Sequence, residues 1–316
     1  MISSAGRWLP WLAGWLDRWL ILAVLAAAGL GIGWPAPARA LAAHNGISAA
    51  LIVLVAATGF GLPGGALQQA RAAAGRVLAA LAAGALILPA LAFAVSRLVA
   101  PGPLRLGVLA AGVAPSEVAS VALAVLAGGQ AAIAVAVLVG STAVCVLIAA
   151  AELHVLAGGA AFSTGGLISA LALIIALPLL AGAAARKVAD RRQAVGADQA
   201  AMVIATVAVL VLIWLVAGQA HPDARYLRAG LALLLFLAGS TLAGGAVGLG
   251  LPRSPAVSLL LPVAMRDFAI AAGIATAAFG PAAAAPLGIY GILVLLFGAA
   301  VARLVRPRRP SGGVAP

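Results

Sequence analysis

Cysteine is almost missing from this chain: Cys145 is the only one, so no intrachain disulfide and no thiolate metal cluster can form. Histidine is nearly as scarce. His44, His154 and His221 are far apart in or near connecting segments, which leaves no His constellation for metal-assisted or general-base chemistry. Only 8% of the residues are charged, and acids number seven. Soluble domains carry about a quarter charged residues, so a water-exposed globule of this size is excluded. The alternating polar and apolar pattern of a transmembrane strand is also absent, which excludes a barrel.

What remains is 65% hydrophobic, with a mean hydropathy of +1.20. Apolar runs of about 20 residues recur along the chain, long enough to cross a bilayer as helices. Ala and Gly are abundant, which suits close helix approach in lipid. The net charge of +12 does not indicate nucleic acid, because the basic residues sit in short segments between apolar runs, where the positive-inside bias accounts for them. The expected partners are the lipid bilayer and a small molecule.

The runs predict ten spans: 20–34, 47–62, 77–98, 106–126, 131–153, 167–185, 200–217, 226–249, 255–280 and 282–305. An N-terminal interfacial segment, 1–19, carries Trp8, Trp11, Trp15 and Trp19 on one helical face. Pro35 to Ala40 is expected to end the first span. Two five-helix repeats, 20–153 and 165–305, precede a basic tail, 306–316. With both termini cytoplasmic, thirteen Lys and Arg fall inside and five outside, of the nineteen in the chain. The expected location is therefore a bacterial inner membrane, N-terminus and C-terminus cytoplasmic.

Two spans are interrupted. One carries Pro115, Ser116 and Glu117; the other carries Pro262 and then Met265, Arg266 and Asp267. Arg266 lies about 18 Å along a helix from Ser254, at about 1.5 Å per residue. An ionisable residue at that depth marks a functional site by default. The interruptions occupy the fourth place of each half, which points to inverted repeats with a substrate site at the crossing. Pro115 and Pro262 are expected to set the breaks. Glu117, Arg266 and Asp267 read as the only ionisable residues deep in apolar spans. Either they pair as a lock, or Arg266 receives an anion while Glu117 or Asp267 carries a proton. Ser116 and Ser120 are candidates to line the same site. Ser141 and Thr142 are weaker ones, and Thr58 reads as an ordinary helix-end hydroxyl.

Gly59-Phe60-Gly61-Leu62, Leu88-Pro89-Ala90-Leu91-Ala92-Phe93, Ala114 to Ser120, Leu126 to Ala132 and Met265-Arg266-Asp267 together resemble the bile acid:sodium symporter family. The resemblance implies ten helices in two parts. A panel would comprise spans one, two, six and seven. A core would comprise the other six, with helices four and nine crossing at unwound centres. It implies alternating-access transport of bile acids, sulfonated steroids or small carboxylates rather than an enzymatic reaction, and no cofactor beyond sodium.

The family's oxygen-bearing sodium ligands fall here on Ser120-Val121, Ala134, Leu138, Pro262, Arg266 and about Gly84. Hard cations need oxygen, and most of it is gone. The expectation is a secondary transporter of a small organic anion, proton-coupled or uncoupled. Alternatives are sodium symport through backbone carbonyls, a non-transporting membrane protein, and an arsenite-type exporter, although Val113 to Ser116 lack the thiolate this last reading requires.

Overall fold

The computed structural model describes residues 22–61, 68, 70–158, 162–189, 194–220 and 223–305. The interfacial segment 1–19 and the tail 306–316 lie outside the described residues. Those described are helical throughout, with no strand beyond one isolated bridge.

Thirteen helices follow in order: α1 Leu22–Gly33, α2 Pro35–Ala43, α3 Gly46–Gly61, α4 Ala70–Ser96, α5 Pro103–Val113, α6 Ala119–Leu126, α7 Ala131–Leu156, α8 Thr164–Val188, α9 Ala194–Ala217, α10 Ala224–Val247, α11 Arg253–Ala264, α12 Phe268–Phe279 and α13 Pro281–Val305. By length and composition, α4, α7, α8, α9, α10 and α13 can each cross a bilayer, and α2 with α3 adds a seventh if that bent pair is one span. The protein is a multi-pass membrane protein.

Pro35 to Ala40 does not close the first span into a loop. The helix breaks at Trp34, and Pro35 starts α2, which meets α3 at 80°. Proline suits a first helical turn, where its missing N–H would be unsatisfied anyway. Arg39 fixes this elbow, its Nε donating to Gly218 O at 2.8 Å. Pro89 and Pro178 lie further inside long helices, and each follows a π-helical turn, Ala83–Ile87 and Ala172–Ala176. The wider turn accommodates the ring and the hydrogen bond proline cannot make.

α3 packs along both α8 and α9. Gly59 of α3 lies against the backbone of Leu179 in α8, and Gly182 of α8 against the backbone of Ala56 and Phe60 in α3, so closely that neither position has room for a Cβ. Van der Waals contact through small residues is what draws helices together in lipid. On the other side, α5 packs against α4, α12 and α13, while α11 packs against α6, α7 and α10.

Both interruptions are present. α5 ends at Val113 and α6 begins at Ala119; α11 ends at Ala264 and α12 begins at Phe268. Pro115 sits within the first break. Pro262 lies inside α11, one turn before the second, so the extended residues are Met265 to Asp267 and not those at the proline.

Candidate functional site at the crossing

The two interruptions pair with each other through their backbones. Ser116 and Arg266 form an antiparallel bridge. Glu117 N donates to Met265 O at 2.8 Å, and Asp267 N donates to Pro115 O at 2.8 Å. An unwound backbone buried in an apolar interior must find hydrogen bonds somewhere. Here each break satisfies the other. Side chains complete the arrangement: Ser116 N donates to Ser141 Oγ at 3.0 Å, Arg266 N donates to Tyr290 Oη at 3.3 Å, and Ser240 Oγ donates to Ala264 O, the orphan carbonyl at the end of α11, at 2.8 Å.

The half-helix N-termini at the crossing are occupied by the protein's own acids. Asp267 caps α12, its Oδ1 accepting from Ile270 N at 2.8 Å. The Glu117 carboxyl lies against the amides of Val118, Ala119 and Phe268. Partial positive charge at a helix start favours such anions. These ends face Glu117 and Asp267.

Successive residues of an extended segment point to opposite sides, and this separates Arg266 from Asp267. The Arg266 side chain, 3% exposed, enters a small cavity lined by Gly84, Val113, Ser141, Cys145 and Glu152. Gly84 makes that room: a Cβ there would stand 3.0 Å from Arg266 Nη1. Asp267 lines a different cavity with Ser116, Thr58, Thr142, Leu54 and Leu179.

The expected ion-paired lock is therefore not formed. Among the described residues no acid lies within 4.0 Å of the guanidinium, and its Nε has no partner. The only ion pair among the described residues is Arg186 with Asp198, a bidentate contact tying α8 to α9.

Glu117, Arg266, Asp267, Ser116 and Ser120 are all buried at or beside the crossing. Ser120 is fully buried with an unpartnered hydroxyl and lines neither cavity. Three residues were passed over in the sequence. Glu152 is a further acid on an apolar helix and shares the Arg266 cavity. Its signal was present, since Ser141, Cys145 and Glu152 repeat on one helical face at spacings of four and seven. Thr58, at a helix end, proves to line the Asp267 cavity. Tyr290 is fully buried on α13, its ring 5.9 Å from Phe236.

A third cavity is much larger, about 810 Å³. It is a crevice between α1 and α9 on one side and α6 and α13 on the other. Val24, Leu123, Ile292 and Leu295 are among its apolar lining, Ala119 marks the end nearest the crossing, and Arg303 is the one charged residue among the described residues that line it.

A family model described as the sodium bile acid symporter family matches residues 48–222, more than half of the chain. No curated protein matches it.

Proposed function

The chain belongs to the sodium bile acid symporter family, and from that premise we propose that it is a secondary transporter carrying a small amphipathic organic anion by alternating access. The observation that carries this reading is the 810 Å³ crevice with hydrocarbon walls and Arg303 as the one charged residue among the described residues that line it. Such a lining suits a molecule with an apolar body and one anionic group, the usual composition of a selective organic-ligand site. Arg266, the group first expected to receive the anion, points away from both the crevice and the Asp267 cavity, so that role passes to Arg303.

In this reading ten spans form two inverted repeats, 20–153 and 165–305. The six long helices are joined by α1, by α3 and by the two interrupted spans, α5 with α6 and α11 with α12. The moving parts are α1, α3, α8 and α9 against the remainder. Both termini lie on the cytoplasmic side of a bacterial inner membrane. The inverted repeat is supported by the matched breaks and their pairing, and the orientation by the thirteen-to-five basic bias.

The residues do not fit the family's sodium set. Ala134 and Leu138 offer only hydrocarbon, Pro262 offers no side-chain oxygen, and the Arg266 guanidinium lies against Gly84, a fixed positive charge on ground that would have to admit a cation. Coupling is to protons, or absent. Transport in liposomes, with sodium and pH gradients imposed separately, tests this: uptake of an organic anion without sodium supports it, and strict sodium dependence with no response to a pH gradient overturns it.

A further inference from the structure

The Arg266 guanidinium is enclosed in its small cavity with no acceptor for its Nε among the described residues. A guanidinium has five N–H donors and keeps its proton in proteins, and a buried charge without a counter-charge is costly. One acid shares the cavity. Glu152 of α7 lines it together with Gly84, Ser141 and Cys145. Cys145 is 3% exposed, whereas Glu152 is half-buried, so Glu152 is the carboxyl there that also reaches the outside of the bundle. The cavity volume is about 10 Å³, room for at most one water and far too little for an organic anion.

Other charges do not compete for this acid. The described helices packed against α7 are α4, α5, α6, α8 and α11. They carry Arg71 and Arg76, Arg105, Arg186 and Lys187, and Arg253, and none of these lines the cavity. Arg266 is the charge that bears on Glu152. On α7 itself, His154 packs on the Phe162 ring. Glu117 lies against the amides of the crossing, and Asp267 faces the other cavity. Position adds a direction. α6 lines the crevice as far as Leu126. The chain then turns back into α7, which meets the crossing at Ser141. Glu152 follows about three helical turns later, so it lies beyond the crossing, on the side away from the crevice.

We propose that Glu152 is a proton-binding site built against Arg266. Ionised, it is the counter-charge that the guanidinium lacks at contact distance. Taking a proton from water at that end of α7 makes it neutral and leaves Arg266 uncompensated. An anion bound in the crevice then offsets the arginine charge, so proton and anion each favour the binding of the other. That part in symport rests on the transporter reading above; proton binding itself does not.

The test is an infrared difference titration of the purified full-length protein in detergent, from about pH 4 to about pH 9, the range over which buried carboxyls titrate. The expected result is a carboxylic-acid C=O band that disappears as pH rises and is missing from Glu152→Gln. In Arg266→Gln the same band persists to higher pH, by at least about half a unit, because the charge that favoured the carboxylate is gone. Spectra of Glu152→Gln that match the wild type at every pH overturn the proposal, and so does a Glu152 band that Arg266→Gln leaves in place. If Glu152→Gln does not fold, Glu152→Asp decides: the shorter side chain sets the carboxyl back from Arg266 and shifts the titration, and an unshifted one overturns the site. Uptake by proteoliposomes separates this site from the transporter reading. Uptake driven by a pH gradient in the wild type and not in Glu152→Gln supports both. A titrating Glu152 with uptake indifferent to the pH gradient supports the proton site and ends proton-coupled transport.

Discussion

Ser116 and Arg266 face each other as an antiparallel bridge where two interrupted helices cross, and the bonds on either side of that bridge are made by backbone, not by charge. The crossing is therefore held by peptide groups, with Asp267 capping α12 and the Arg266 guanidinium turned away into its own cavity.

Arg266→Gln tests that separation. A buried ion pair that loses one partner costs about 3–5 kcal/mol. Arg266 has no such partner within 4.0 Å among the described residues, so the neutral side chain of similar length is expected to change stability by less than about 1 kcal/mol. The thermal midpoint of the detergent-purified variant measures it, and a large drop would restore the ion-paired lock.

Gly84 is predicted to be coupled to Arg266. Gly84→Val forces the guanidinium out of the room the glycine leaves, at an overpacking cost of about 1–3 kcal/mol. In Arg266→Ala the same change is expected to cost much less, because the obstructing atoms are gone. A double-mutant cycle on thermal stability reads the coupling; additive effects would place the arginine elsewhere.

Ser240 covers the carbonyl at the broken end of α11. Ser240→Ala leaves Ala264 O buried without that donor, and the expected loss is about 1–3 kcal/mol. Ser169, whose hydroxyl donates to Gly165 O on the exposed face of α8, serves as the control: Ser169→Ala is expected to be near neutral.

Much of this architecture was legible in the chain because buried charge is rare in apolar helices. Pro115, Glu117, Arg266 and Asp267 therefore marked both breaks by themselves. What was not legible was direction. Arg266 and Asp267 are neighbours in sequence and read as members of one site, but an extended backbone sends them to opposite cavities. Nothing in the spacing announces that the break is extended at 265–267, three residues beyond Pro262. Glu152 was overlooked because it lies in the last turns of its helix, where an acid ordinarily reaches water. Thr58 was passed over for the same reason. Long-range packing of α3 against α12 brings it to Asp267, and a local pattern carries no trace of that contact.

The crevice makes its own prediction. Ala122 lines it from α6, and Ala122→Trp is expected to abolish uptake of any organic anion by filling it. Arg303 is exposed at its other end, so Arg303→Gln is expected to raise KM about two- to fivefold with kcat little changed, the effect of a solvent-screened charge. Uptake by proteoliposomes of matched purity measures both, and an unchanged Ala122→Trp would move the pathway elsewhere.

The most direct test of the central claim is uptake of amphipathic organic anions by the wild-type protein in proteoliposomes, with sodium outside replaced by N-methylglucamine and a pH gradient applied independently. The account predicts saturable uptake that persists without sodium and is lost in Ala122→Trp. Uptake that requires sodium and ignores the pH gradient, or no uptake of any anion by folded protein, would contradict it.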